Sequence, residues 1–287
     1  MAAALESLPN IKHRTIFDNI VQLWPPFDPE CPPSGLGAGD LDAASSDSES
    51  ESSVGRAPQA MHHDISHVYG EVVVESFLAF LQSDVWLQAD QVVPTRFVDL
   101  GSGAGACLAA AAACGRFALC CGVELEESWV HTCLTRFDQL CTACAPPPTP
   151  GPHSEPGPDT GTKPAPEPWS EHCLDTGTGS VCIITVRQGS MYDSSWVVHT
   201  CAAKQPALVF CNATALNIPQ MQQLAQVCEK LPAGSIVLTT TAALPSRLFD
   251  SRRLPGRLPM SWGSDASVHL ATRKKLGQWA ARMLPRY

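Results

Sequence analysis

The sequence lacks an uninterrupted apolar run of membrane-spanning length. Its longest apolar region, Ala104 to Val123, contains Arg116 and several glycines, so a buried helix followed by a buried strand explains it better than a membrane span. The start of the chain also lacks the apolar stretch of a signal peptide, because Glu6, Lys12 and Arg14 lie within its first turns. We therefore expect an intracellular protein.

Cysteine is abundant, but its spacing does not favour a disulfide framework or a metal site. The 13 cysteines are odd in number, and several of them, such as Cys120 and Cys182, fall within apolar helix or strand patterns. The close pair Cys141 and Cys144 is separated by a proline-rich stretch from His172 and its neighbouring cysteine. Buried, reduced thiols explain this usage best, and we predict no metal site.

Positive charge is scarce over most of the chain and is concentrated at its end. The net charge is −9, yet residues 246–287 contain nine arginines and lysines against two aspartates, a net charge of +7 that leaves −16 for the rest. A basic segment of this kind can contact a nucleic-acid backbone or an acidic protein patch. For any single residue in it, a solvated surface position is the simpler interpretation.

Two segments have compositions that cannot form a packed core. Residues 25–62 combine prolines, glycines and a run of alternating serines and acids, and we predict that they are disordered. Residues 145–179 are proline-rich and are predicted to be a low-complexity surface insertion. The folded domain is predicted over residues 63–287, and helical spacing of apolar residues predicts a short docking helix within residues 1–24.

Short apolar strands alternate with helical patterns in the predicted domain. The predicted strands end near Asp99, Glu124, Val186, Cys211 and Thr240, and helices lie between most of them. This alternation predicts an α/β fold with a mostly parallel sheet and helices on both faces. Ligands of such sheets bind at the carboxyl ends of the strands.

The most informative motif runs from Asp99 through Gly101, Gly103 and Gly105. Glycines at alternate positions let the backbone turn sharply and let a ligand approach the main chain closely. Glu124, at the end of the next strand, is placed to accept the two hydroxyls of an adenosine ribose. Asp99 would attract the ammonium group of S-adenosylmethionine but repel the pyrophosphate of a dinucleotide. The pattern therefore favours S-adenosylmethionine over a nicotinamide dinucleotide, the rival that the loose glycine fingerprint also allows.

Asn212 directly follows another predicted strand, at the same edge of the sheet. Its amide would lie beside the transferred methyl group and could accept a hydrogen bond from an amine nucleophile. A turn-forming asparagine after a strand explains the same position equally well. The sequence pattern leaves both interpretations open.

The order of three motifs resembles a known family. His67-Val68-Tyr69-Gly70-Glu71 stands upstream of the glycine loop, and Val209-Phe210-Cys211-Asn212 stands downstream of it. Over residues 65–273, this arrangement resembles the Dot1 (disruptor of telomeric silencing) family of non-SET histone lysine methyltransferases.

The resemblance implies a class I S-adenosylmethionine-dependent methyltransferase fold and a nuclear enzyme of chromatin. Its substrate would be a lysine of the histone H3 core in nucleosomes, and its basic end would contact DNA phosphates. Phe210 would line the lysine channel and Asn212 would orient the amine. The implied cofactor-binding residues are Tyr69, Glu71, Asp99, Gly101, Gly103, Glu124, Ser190 and Met191.

The chain also departs from the family pattern. Ser190 and Met191 stand where the family has an acidic and an aromatic residue that contact adenine, and Ala106 replaces a glutamine. Two alternatives therefore stay open. One is another class I methyltransferase, acting on a different protein or on a small molecule, and the other is a catalytically degraded methyltransferase fold kept as a binding subunit.

Overall fold

The computed structural model describes residues 11–24, 72–87, 92–144, 170–175, 181–201, 204–260 and 265–275. Every helix in these ranges is too short or too polar to cross a lipid bilayer. The elements are, in chain order, α1 (Ile11–Leu23), α2 (Val74–Gln82), β1 (Arg96–Leu100), α3 (Ala106–Ala113), β2 (Leu119–Glu124), α4 (Glu127–Cys144), β3 (Ser170–Asp175), β4 (Val181–Gln188), α5 (Ser195–Thr200), β5 (Leu208–Cys211), α6 (Ile218–Cys228), β6 (Ile236–Thr240), β7 (Phe249–Pro259) and β8 (Asp265–Arg273).

The eight strands of the described ranges form one sheet in the order β3-β4-β2-β1-β5-β6-β8-β7. Strands β4, β2, β1, β5 and β6 are mutually parallel, whereas β3 and β8 run antiparallel to their neighbours. An antiparallel strand placed between the last parallel strand and the edge strand is the topology of class I methyltransferases. The structure thus confirms the predicted fold class.

Both faces of the sheet are covered, which explains why its central strands are apolar throughout. Alternate residues of β1 and β5 point to opposite faces, so that Phe97 and Phe210 join one apolar cluster while Val98 and Val209 join another. Helices α1 to α4 cover the first face, and α5 and α6 cover the second. The chain order reverses between β1 and β5, and their carboxyl ends form the switch point where α/β proteins bind ligands.

The structure corrects the extent of the predicted insertion. Residues 170–175, placed within the low-complexity stretch 145–179, form β3 and pair along their whole length with β4. As an edge strand, β3 buries only Leu174 fully, so its sequence lacks the apolar alternation that marks a strand. The rest of that stretch, residues 145–169 and 176–179, lies outside the described residues.

The edge strand β7 is a second difference. No strand is predicted over 249–259, because Pro255 and Gly256 interrupt the pattern and most other side chains are polar. In the structure these two residues form an irregularity between Arg253 and Arg257, and the strand continues on both sides.

Helix α1 lies within the segment predicted as a docking helix. It packs on α3 and α4 of its own chain, burying Ile16, Phe17 and Ile20. The predicted disordered region at 25–62 lies outside the described residues.

Candidate cofactor and acceptor site

The glycine loop follows β1 directly and turns over the end of β2. Gly101, Gly103 and Gly105 have φ angles of +77°, +50° and +89°, in the left-handed region that favours glycine. The Gly101 amide donates to the Val123 carbonyl oxygen at 2.8 Å. The three predicted glycines are therefore required by the backbone path of this loop.

Glu124 joins the glycine loop to the end of β2. The residue is 8 % exposed, and one of its carboxylate oxygens, Oε2, accepts a hydrogen bond from the Gly103 amide at 2.8 Å. The other, Oε1, accepts from the amides of Leu125 and Glu126 at 2.8 and 3.0 Å. A carboxylate has about four acceptor positions, so one remains for a ligand hydroxyl. Glu124 thus orders the loop and keeps acceptor capacity at the carboxyl end of its strand.

Asp99 is buried beside the neighbouring strand β5. Asp99 is 3 % exposed, and its register partner on β5 is Phe210. Burial, and then the nearby Asp99 carboxylate, raise the pKa of the Cys211 thiol to about 12. Cys211 therefore stays protonated at neutral pH and is no nucleophile at this edge.

The segment after β4 lies across the loop. The Met191 Cε atom is 3.5 Å from the position that a Cβ would occupy on Gly101. The Met191 carbonyl oxygen accepts from the Trp196 indole at 3.0 Å, and the Ser190 hydroxyl accepts from the Tyr192 amide at 3.2 Å. The structure thus brings the Met191 side chain to the glycine loop, at van der Waals distance from the position of a Cβ on Gly101.

Asn212 is held by hydroxyl groups at the ends of β5 and β6. Its Oδ1 accepts from Thr240 Oγ1 at 2.7 Å and from Thr214 Oγ1 at 2.9 Å. The Thr214 amide also approaches this oxygen, at 3.4 Å, as in an Asx turn. Since Cys211 pairs with Thr239, the parallel register puts Asn212 beside Thr240. The amide is fixed in one orientation, and its oxygen is already engaged by the chain's own donors.

Phe210 lies inside the core. It is 1 % exposed, and its ring centroid is 4.7 Å from that of Phe77 in α2. The predicted role in a lysine channel stays a prediction. Tyr69 and Glu71, the other two predicted cofactor residues, lie outside the described residues, which resume at Val72.

Sequence reasoning missed Thr240, which orients Asn212 and also accepts a hydrogen bond from the Ala213 amide at 2.8 Å. The signal was a run of three threonines, 239–241, at the end of β6. Thr241 has a φ of +67°, an uncommon conformation for a β-branched residue that is frequent at functional sites. Within the described parts of the chain, no group of three or more His, Cys, Asp or Glu residues could hold a metal ion.

Comparison with protein families tests the predicted resemblance. Residues 59–144 match the family described as "Histone methylation protein DOT1". The match includes the glycine loop and Glu124 together with Tyr69 and Glu71, and it confirms the resemblance to the Dot1 family over this segment. It supports a methyltransferase and, with the fold, implies S-adenosylmethionine as the cofactor. Asn212 and strands β3 to β8 lie beyond the matched segment. No curated protein sequence matches the chain.

Solved structures similar to this chain include methyltransferases of low sequence identity. The rRNA methyltransferase AviRa of Streptomyces viridochromogenes is 10 % identical with a TM-score of 0.47, covering 71 % of this chain and 86 % of its own. The YcgJ protein of Bacillus subtilis is 9 % identical with a TM-score of 0.40, covering 69 % of this chain and 98 % of its own.

Proposed function

We propose that this chain is a nuclear histone lysine methyltransferase, which transfers a methyl group from S-adenosylmethionine to a lysine of the histone H3 core in nucleosomes. The observation that carries the proposal is the Dot1 family match over the segment where the glycine loop meets Glu124. The motif order beyond that segment, with Asn212 after β5, supports the same family.

The described residues fit the cofactor. The glycines of the loop have positive φ angles and no Cβ, so a ligand can approach their backbone closely, and the Met191 side chain faces Gly101. Glu124 would accept from the ribose, Asp99 would attract the ammonium group, and Met191 would contact the adenine side. When bound, S-adenosylmethionine supplies a methyl group whose carbon a neutral amine can attack, displacing the positively charged sulfur to which it is bonded. The remaining task of the chain is to align a lysine and exclude water.

At the proposed lysine site, the threonine hydroxyls around Asn212 fix the orientation of its side-chain amide. Because Oδ1 already accepts from Thr240 and Thr214, an incoming amine would bond to it by replacing the exposed Thr214 hydroxyl. Thr240 is buried and would stay in place, keeping the amide directed toward the substrate edge. In this proposal Asn212 contacts the amine and Thr240 positions Asn212.

Thr240→Val is therefore expected to lower kcat about tenfold, the equivalent of roughly 1.4 kcal/mol, because valine keeps the shape but can neither donate to Asn212 nor accept from the Ala213 amide. The dissociation constant of S-adenosylmethionine should not change, since β5 separates β6 from β1 and the glycine loop that follows it. Thr240→Ser keeps the hydroxyl and is the matched control. Equal kcat values for the valine and serine variants would contradict the positioning role.

The proposal is tested by transfer of a tritiated methyl group to three substrates: nucleosomes, free histones and RNA. Wild-type protein is expected to label H3 in nucleosomes, and Gly103→Arg and Asn212→Ala should abolish the label. Label on RNA or on free histones alone would instead favour another class I methyltransferase. Cofactor binding without transfer to any of them would favour a binding subunit.

We also propose a contact between nucleosomal DNA and a basic edge, formed by the exposed side chains of Arg252, Arg253 and Arg257 on β7. On the neighbouring strand β8, His269 is the register partner of Arg253 and Ser267 is that of Arg257. The Ser267 hydroxyl lies 3.3 Å from the His269 imidazole. The Thr241 amide donates to the Ser267 carbonyl oxygen, so this part of the edge adjoins the acceptor site. Burial, and then Arg253, lower the pKa of His269, so the arginines carry the positive charge.

Removing two of these charges, in Arg253→Gln/Arg257→Gln, is expected to weaken nucleosome binding and to make its dependence on salt less steep. Loss of two phosphate contacts should reduce the slope of log K against log salt concentration by about 2. Lys204→Gln/Lys230→Gln removes the same charge at the opposite, amino end of β5 and β6 and should leave the slope unchanged. Fluorescence anisotropy at several salt concentrations measures both. An equal change in the two double variants would contradict a local contact.

A further inference from the structure

A buried indole contacts the glycine loop from 80 residues upstream. Trp24, at the end of α1, is 3 % exposed, and its Nε1 donates to the Ala104 carbonyl oxygen at 2.6 Å. The backbone amide of Trp24 donates to the Ile20 carbonyl oxygen at 2.8 Å, which continues the helical path of α1. Ala104 lies between Gly103 and Gly105, the two left-handed glycines in the second half of the loop. The indole thus binds the main chain of the loop itself.

The Trp24 ring is fixed by its neighbours. Its ring centroid is 5.3 Å from that of Phe137 in α4. Arg136, on the same helix as Phe137, places its guanidinium 5.7 Å from the centroid of the Trp24 ring. Phe137 also supports the loop directly, since a Cβ built on Gly105 would lie 3.0 Å from Phe137 Cε2. Trp24, Phe137 and the second half of the loop therefore pack against one another.

The loop is consequently held on consecutive residues from two sides. Glu124 accepts from the Gly103 amide, and Trp24 donates to the Ala104 carbonyl oxygen. We infer that Trp24 is a positioning residue for the cofactor loop, which holds Ala104 so that the Gly103 amide stays on Glu124. This inference rests on the proposed use of the loop for S-adenosylmethionine. It makes α1 a part of the cofactor site rather than a docking segment for another molecule.

The test is Trp24→Phe, which keeps most of the ring packing but removes the N–H donor. A matched control is available in Trp86→Phe. Trp86 is also buried. Its indole N–H donates to the Leu81 carbonyl oxygen at 3.2 Å, and the Arg116 guanidinium lies over its ring. Its partner carbonyl belongs to α2 and not to the loop.

We expect Trp24→Phe to weaken S-adenosylmethionine binding about fivefold, as measured by calorimetry, and to speed hydrogen exchange of the Gly103 and Gly105 amides by a similar factor. Trp86→Phe should change neither, although both variants lower the unfolding midpoint. Equal loop exchange in the two variants overturns the inference. A wild-type protein that binds no S-adenosylmethionine contradicts the proposed function instead, and the exchange comparison, made without ligand, still decides the role of Trp24.

The unsubstituted protein provides a second readout that does not depend on a variant folding. S-adenosylmethionine at saturating concentration is expected to slow hydrogen exchange of the Trp24 indole N–H at least fivefold, because ordering the loop also orders its partner. Exchange of the Trp86 indole should not change. If the cofactor binds and slows neither indole, or slows both equally, Trp24 does not position the loop.

Discussion

Replacement of Glu124 by glutamine is expected to weaken S-adenosylmethionine binding about a hundredfold and to lower the free energy of unfolding by about 3 kcal/mol. The carboxylate accepts from three backbone amides, on Gly103, Leu125 and Glu126. A glutamine amide carries one oxygen and one NH₂ group, so a donor must face a donor at Gly103 or at the other two residues. If the NH₂ group faces Gly103, the buried amide of the loop loses its acceptor and that end of the loop is released; if it faces Leu125 and Glu126, two backbone N–H groups at the more exposed end of β2 lose theirs.

Calorimetry for the affinity and urea unfolding for the stability measure these two effects. Glu171→Gln, on the exposed outer strand β3, makes the same chemical change without backbone partners of this kind and should alter each quantity little. A Glu124→Gln variant that binds the cofactor as tightly as wild type would show that the carboxylate does not order the loop.

Gly105→Ala is expected to lower the free energy of unfolding by about 4 kcal/mol, the sum of two costs. The φ of +89° is unfavourable for a residue with a Cβ by about 1–2 kcal/mol. The added atom would also lie 2.5 Å from Cys133 Sγ and 3.0 Å from Phe137 Cε2, an overlap that costs about 1–3 kcal/mol more. Because Phe137 supports Trp24, the same substitution should weaken cofactor binding.

The chain contains a matched control for the steric part. Gly256 has a φ of +84°, and among the described residues no atom lies within 4 Å of a Cβ built there. Gly256→Ala should therefore cost about 1–2 kcal/mol, the conformational cost without the overlap. Urea unfolding of both variants measures the difference. Equal losses of stability would mean that Cys133 and Phe137, behind the glycine loop, move to accommodate the added methyl group at no energetic cost.

Local signals predicted the parts of the site that one segment encodes. The spacing of the glycines and the acid at the end of β2 are contiguous with the strands that carry them, and the structure has the loop and the Glu124 contact at that place. Asn212 was placed after β5 in the same way. Its orientation could not be predicted, because it depends on Thr240, and only the parallel register of β5 and β6 brings the two residues together.

The remaining features depend on contacts between distant segments. The indole of Trp24 meets Ala104 across 80 residues, and nothing in the helical spacing of α1 says which surface it will cover. Strands β3 and β7 are edge strands whose exposed residues do not alternate clearly, so pairing with β4 and β8 defines them. Sequence patterns thus predicted the cofactor side of the fold better than its edges and supports.

Calorimetric titration with S-adenosylmethionine tests the central claim most directly, namely that the loop from Asp99 to Gly105 and Glu124 form a cofactor site. We expect saturable one-to-one binding to the wild-type protein and none to Gly103→Arg, because a φ of +50° disfavours a residue with a side chain and a large one would be added to the loop itself. Binding of S-adenosylmethionine to both proteins with equal affinity, or to neither although both are folded, would contradict it.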